Sequence, residues 1–339
     1  MKKTTIQDVA DYCHVAKSTV SLVLNGHSRV SLKTREKIFE AIRVLDYKPN
    51  LNAKNLKTNH NRTLGLIADD LSNLYATSII KGVVQRSKFY NYDLFICECD
   101  WSQENVMQYL DMLAQRNCEG IIFTTPMDIR HQLTKKLENL KHSRIPCVVI
   151  LSGDIPTPIS AVQSDDAQGT LLALRHLVEL GHTRIAFIAG FKGERATIAK
   201  ERMYREYLES LGYYDSTLIY YTDFQPEQGF QAAKACLALN NPPTAFFASG
   251  DALAMGVLAG VKSTGYSVPQ QISVVGYGGL DLAAYTDPPL TTVAVPRFTM
   301  GEMAVDNIIN RIGDIDEDIP TVQLLKTELI VRYSAGPRA

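Results

Sequence analysis

Two rhythms divide the chain. Up to about residue 60, apolar residues recur at helical spacing; from Thr63 onward, short apolar runs alternate with amphipathic stretches. In the first region Thr5 and Asp8 frame the pattern Ile6, Val9, Ala10 and Cys13, which predicts a short helix with a capping box. After a break at His14-Val15-Ala16, a second helix is expected over 17–26. Val20, Val23 and Leu24 form its buried stripe and Gly26 its stop. Ser31 caps a third helix that turns Ile38, Ala41, Ile42 and Leu45 inward. Two short helices with a third behind them make a helix-turn-helix unit. Pro49 ends the third helix, and Asn50 opens a segment of about two turns reaching Lys57. So short a helix is marginal alone and is expected to wind only against a partner.

Beyond Thr63, strands are predicted over 64–68, 93–98, 120–123, 146–151, 159–164, 184–189, 245–248 and 272–276. Amphipathic helices such as 103–115 and 168–180 lie between them. Near-continuous apolar strands separated by helices imply parallel sheets covered on both faces, here as two doubly wound lobes.

Composition narrows the function classes. With 45% hydrophobic, 21% charged and 8% aromatic residues, the 339-residue chain is neither disordered nor coiled coil. Its apolar runs are too short to span a bilayer, so no membrane partner is expected. No apolar core follows Lys2-Lys3, so the expectation is a cytoplasmic protein that is not exported. The six cysteines are scattered, and Cys97-Glu98-Cys99 lacks zinc or redox spacing, which suits reduced thiols. The near-neutral total conceals an asymmetry. Residues 1–60 hold eleven Lys/Arg against five Asp/Glu, a net of +6, and the remainder carries −7. A basic head on an acidic body points the head at phosphate.

Enzyme signatures are missing. Gly276-Tyr277-Gly278-Gly279 lacks dinucleotide-binding glycine spacing, and Gly190 to Gly193 lacks the Gly-Lys-Ser/Thr of a phosphate loop. The seven histidines show no metal pairing, and no serine sits in a nucleophile elbow. No catalysis, metal or cofactor is expected.

The motifs in order resemble the lactose-repressor family of bacterial transcription regulators over the whole chain. They include Thr5-Ile6-Gln7-Asp8-Val9-Ala10, Ser18-Thr19-Val20-Ser21, Val30-Ser31 with Thr34-Arg35-Glu36-Lys37, and Tyr47-Lys48-Pro49-Asn50. Further on come Gly65-Leu66-Ile67, His176 through Ala186, Asp251-Ala252-Leu253-Ala254-Met255-Gly256, Pro288-Pro289-Leu290-Thr291-Thr292-Val293 and Val331-Arg332-Tyr333-Ser334. The resemblance implies an N-terminal all-α helix-turn-helix head over 1–48 and a hinge helix and linker over 49–61. It also implies an α/β, periplasmic-binding-protein-like body of two doubly wound parallel-sheet lobes over 62–339. The lobes are expected at about 62–160 with 293–321, and 161–292 with 322–335. It further implies a homodimer on a near-palindromic double-stranded DNA operator, and no leucine-rich tetramer tail follows Ser334.

At the DNA end, the matching positions assign base reading to Lys17, Ser18 and Leu22. Lysine suits guanine O6/N7, whereas leucine reaches only a thymine methyl. Thr5, Thr19, Ser21, Asn25, Arg29, Ser31, Thr34, Tyr47 and Asn50 match phosphate-contacting positions. His14 stands where the family turns on glycine, which requires a tolerated positive φ. Ala16 replaces a capping serine. In the hinge, Leu56 matches a minor-groove wedge, with Ala53 at the helix pairing and Lys54 in reach of the groove.

At the ligand end, binding is expected where strand ends face one another across a cleft. Asp251 matches a family aspartate that accepts from sugar hydroxyls, or it caps the helix opening there. Asp165 matches a second polar position. A cleft arginine of the family becomes Lys200, or Arg202 in another helical register. Asn73, Tyr75, Phe224 and Tyr285 complete the candidates, and Gly278-Gly279 replaces the family's paired aspartates.

The expected function is a ligand-responsive transcription regulator, preferentially a repressor, whose effector is a sugar or sugar phosphate. A nucleobase corepressor type and a solute-binding protein without DNA function are the alternatives.

Overall fold

A computed structural model describes residues 4–24, 30–47, 61–124, 132–152, 160–313 and 321–338. The chain divides into two compact units, Met1–Asn61 and Arg62–Ala339.

In the first unit α1 (Ile6–Cys13), α2 (Lys17–Leu24) and α3 (Leu32–Val44) enclose a core of Val9, Ala10, Cys13, Val20, Val23, Ile38 and Ala41. The capping box forms as the spacing predicts: Thr5 Oγ1 accepts from the Asp8 amide, and Asp8 accepts from the Thr5 amide at 2.7 Å. His14 adopts φ 51°, ψ 45°, the left-handed geometry that ends α1 and turns the chain toward α2. At the start of α2 the Ala16 carbonyl accepts from the Thr19 amide at 2.9 Å. Ser31 caps α3 by accepting from the Thr34 amide at 3.3 Å. Gly26, Pro49 and the predicted two-turn hinge lie outside the described residues.

The second unit holds two six-stranded sheets. One joins β1 (Thr63–Ala68), β2 (Asp93–Glu98), β3 (Gly120–Phe123), β4 (Cys147–Ser152), β5 (Ser160–Ser164) and β11 (Val322–Leu325) in the order β11-β5-β4-β3-β1-β2. The other joins β6 (Ile185–Ala189), β7 (Ile219–Tyr221), β8 (Ala245–Ala248), β9 (Ser273–Gly278), β10 (Thr291–Ala294) and β12 (Glu328–Ile330) in the order β12-β10-β9-β8-β6-β7. Every pairing is parallel except β10 with β12.

Helices cover both faces of each sheet. The first lobe carries α4 (Leu74–Phe89) and α11 (Arg297–Gly313) on one side, α5 (Gln103–Gln115) and α6 (Gln132–His142) on the other. The second lobe carries α7 (Asp166–Glu179) and α8 (Arg195–Ser210) opposite α9 (Pro226–Leu237) and α10 (Asp251–Ser263). One apolar cluster runs through both lobes, from Leu64 and Leu66 to Phe187, Phe247 and Tyr277.

Strand pairing shifts the lobe boundaries expected from sequence at 160/161, 292/293 and 321/322. Strand β5 pairs with β4 and β11 with β5, so both stay in the first lobe; β10 pairs with β9 and stays whole in the second. The chain therefore crosses three times, at Asp165, at 295–296 and at 326–327. No helix among the described residues is long and apolar enough to cross a membrane.

Candidate functional site

The head presents one face of α2 outward. Burial of Val20 and Val23 on the inner side leaves Lys17 and Ser18 exposed at the first turn, with Ser21 and Leu22 half-buried one turn on. Thr19 and Thr34 are half-buried and Ser31 is exposed. Thr5 is committed to the α1 cap. Tyr47 packs against the head core, where desolvation raises its phenol pKa. Its ring is therefore structural, leaving the hydroxyl for any phosphate. Asn25, Arg29, Asn50, Ala53, Lys54 and Leu56 lie outside the described residues.

In the body, strand ends of both lobes bring aromatic side chains together. Trp101 follows β2 with φ 56° and meets Phe191, which follows β6, edge to face at 5.8 Å. Phe191 meets Phe224 at 5.9 Å. Phe224, itself at φ 65°, lies so close on Gly190 that a Cβ there would sit 1.9 Å from its ring. Gly190 is thus required for the platform. Across the cleft, Asn73 Oδ1 accepts from the Tyr75 amide at 2.9 Å and opens α4. The Tyr75 ring lies under the Arg297 guanidinium at 5.1 Å.

The predicted carboxylates are less available than their positions imply. Asp251 is 2% exposed. Its Oδ1 accepts from Thr292 Oγ1 and its Oδ2 from the Leu280 amide at 2.6 Å, so the expected sugar acceptor is bound inside the lobe. Burial raises its pKa, opposed by those bonds and by the charges of Arg297 and Arg332. Nor does it cap its helix, since Gly250 occupies that position. Asp165 accepts from the Gln168 amide at 2.9 Å and caps α7 at the first crossover.

Helical register settles which cation of α8 faces inward. Lys200 is buried and Arg202 exposed. Lys200 pairs with Asp166 at 3.0 Å and lies 4.4 Å from the centre of the Tyr277 ring. Asp166 also accepts from Ser164 Oγ at 2.7 Å and Tyr277 Oη at 2.9 Å. The predicted cleft lysine is therefore held in a closed polar cluster at the crossover. Tyr285, expected at the cleft, is 85% exposed on a short 3₁₀ turn. The sequence pattern does not single out Trp101, Phe191, Asp166 or Arg297. The Asp165-Asp166 doublet was the one visible signal among them.

A model of bacterial regulatory proteins of the lacI family matches residues 5–50, and a periplasmic binding protein-like domain matches 174–335. The HTH-type transcriptional regulator DegA of Bacillus subtilis is 33% identical over 337 residues, 99% of either chain. The chain belongs to the lacI family. As a lacI-family member it is a DNA-binding transcription regulator with a ligand-binding body. The HTH-type transcriptional repressor PurR of Aliivibrio fischeri is 32% identical, covering 98% of this chain and 99% of its own. Among solved lacI-family structures, the lac repressor dimer bound to operator and the anti-inducer ONPF superposes with a TM-score of 0.88 at 27% identity. That match covers 99% of this chain and all of the other.

Proposed function

We propose that the protein is a homodimeric repressor whose hold on a near-palindromic operator is set by a small ring-shaped ligand between its lobes. The observation that carries the reading is the aromatic arc Trp101–Phe191–Phe224, which joins strand ends of both lobes. Rings there stack on the apolar face of a sugar while its hydroxyls reach polar strand ends, so ligand binding and lobe angle are linked. Exposed Phe95 and Ile96 on β2, with Val84 and Phe89 on α4, supply apolar surface for a second copy.

In this reading Lys17, Ser18 and Leu22 meet bases, and Thr19, Ser21, Ser31, Thr34 and Tyr47 meet phosphates, with Thr5 at the α1 cap beside them. Asn25, Arg29 and Asn50 join them by position. The segment carrying Ala53, Lys54 and Leu56 winds in the minor groove, and ligand-driven lobe motion biases that winding. The test is paired titration of a duplex selected from random sequence and of the ligand. Leu56→Ala should weaken duplex binding and leave ligand affinity nearly intact; equal loss of both would refute the division of labour.

A nucleobase is the second reading. PurR is among the most similar relatives, a flat base suits edge-to-face rings, and Asp251 is bound internally instead of open to a diol. A sugar inducer should loosen the duplex complex, whereas a purine corepressor should tighten it.

A further inference from the structure

Resting on the reading of a ligand between the lobes, we propose that this ligand carries an anionic group, a phosphate or a carboxylate, and that Arg297 holds it. Arg297 opens α11 directly after the second crossover and is 7% exposed. Its Nη1 donates to the carbonyls of Leu74 at 3.3 Å and Tyr75 at 3.4 Å in the first lobe. Its Nη2 donates to the carbonyl of Gly279 at 3.0 Å in the second. All three acceptors are neutral, and its Nε is buried with no partner among the described residues.

Burying a guanidinium carries a desolvation cost that three neutral carbonyls only partly offset. The carboxylate that feels it, Asp251, is bound to Thr292 and Leu280 and makes no ion pair with it among the described residues. The adjoining Gly278 and Gly279, at φ 122° and 70°, contribute no side chain. A buried cation with an idle donor, touching both lobes beside side-chain-free backbone, matches an oxyanion brought by the ligand. Two further unanswered hydroxyls sit at strand ends. Ser249 Oγ follows β8 and is 4% exposed, and Thr124 Oγ1 follows β3. A hydroxyl of either kind can donate to an oxyanion.

The test compares inorganic phosphate, glucose 6-phosphate and glucuronate with glucose, by thermal shift of the full-length protein at constant ionic strength. At least one anion should raise Tm more than glucose does. Arg297→Gln should weaken that response roughly ten- to hundredfold in half-saturating concentration, the loss expected for a charge-assisted hydrogen bond, and Arg297→Lys should restore part. A response to glucose equal to that of the anions, indifference to all three anions, or an anion response unchanged in Arg297→Gln would overturn the assignment. If Arg297→Gln does not fold, the wild-type ranking and Ser249→Ala, expected to weaken the anion alone, decide.

Operator affinity on the same samples separates the two proposals. An anion that binds through Arg297 without moving operator affinity sinks the switch and leaves the site. A neutral sugar that moves operator affinity equally in wild type and Arg297→Gln sinks the site and leaves the switch.

Discussion

Trp101 of the first lobe and Phe191 of the second meet edge to face with ring centroids 5.8 Å apart. Trp101 is the one tryptophan of the chain and is 42% exposed, so indole emission reports the surroundings of this contact without interference from another tryptophan. A ligand that alters the lobe angle should shift the emission maximum, and Phe191→Ala should shift it to the red without ligand. Unchanged emission on saturating ligand would show that the contact stays fixed through binding.

Lys200 and Asp166 form an ion pair with almost no solvent access. Lys200→Met leaves a buried carboxylate without its cation and should cost about 3–5 kcal/mol in urea unfolding. Adding Asp166→Leu should recover part of that loss, although Ser164 and Tyr277 then lack their acceptor. A double variant less stable than the single would contradict the ion-pair account.

His182 ties the body to its C-terminal segment. Its Nδ1 meets Thr244 Oγ1 at 2.9 Å, and its Nε2 meets Ser273 Oγ at 2.9 Å and the Gly336 carbonyl at 3.1 Å. Burial pushes its pKa below 6.5, partly offset by the Gly336 carbonyl and reinforced by Arg338 and His176. The unfolded chain therefore takes the proton first. Stability is complete above 6.5 and should fall as pH drops from there toward the lowered folded value. Urea midpoints compared between about pH 8 and about pH 5 should show this decline. His182→Gln should flatten it while lowering stability throughout; His176, shifted the same way, accounts for any slope that remains.

In the head, His14→Gly relieves a left-handed backbone at a non-glycine residue and should add about 1 kcal/mol to the stability of that unit. Hydrogen exchange of the α1 and α2 amides in the full chain would register it. Lys17→Ala should relax sequence preference in a duplex selection by about 1–3 kcal/mol at one base pair. A uniform loss across sequences, with a shallower salt dependence, would make Lys17 a phosphate contact instead.

Strands β1 to β6, β8 and β9 and all three head helices are legible because each carries its own signal, a run of apolar residues or a helical stripe; β10, inside the second sheet, is not, because Thr291 and Thr292 interrupt its apolar run. Strands β7 and β12, each three residues long and partly exposed, have no such period, and β11 alternates exposed with half-buried positions. They exist through pairing partners distant in sequence, such as Leu324 beside Gln163. The cleft divided the same way. Phe224 and Tyr75 were visible as aromatics after strands. That Asp251 is occupied depended on Leu280 and Thr292, 29 and 41 residues further on. The inward turn of Lys200 required its counter-charge at Asp166, 34 residues earlier, on another helix.

Because the polypeptide passes between the lobes at Asp165, at 295–296 and at 326–327, neither lobe is a continuous piece of gene. A chimera meant to exchange one lobe with a relative has to be spliced at three junctions at once. The head needs a single splice. Evolution by recombination can therefore reassign which operator this architecture reads far more readily than it can assemble a ligand cleft from two parents.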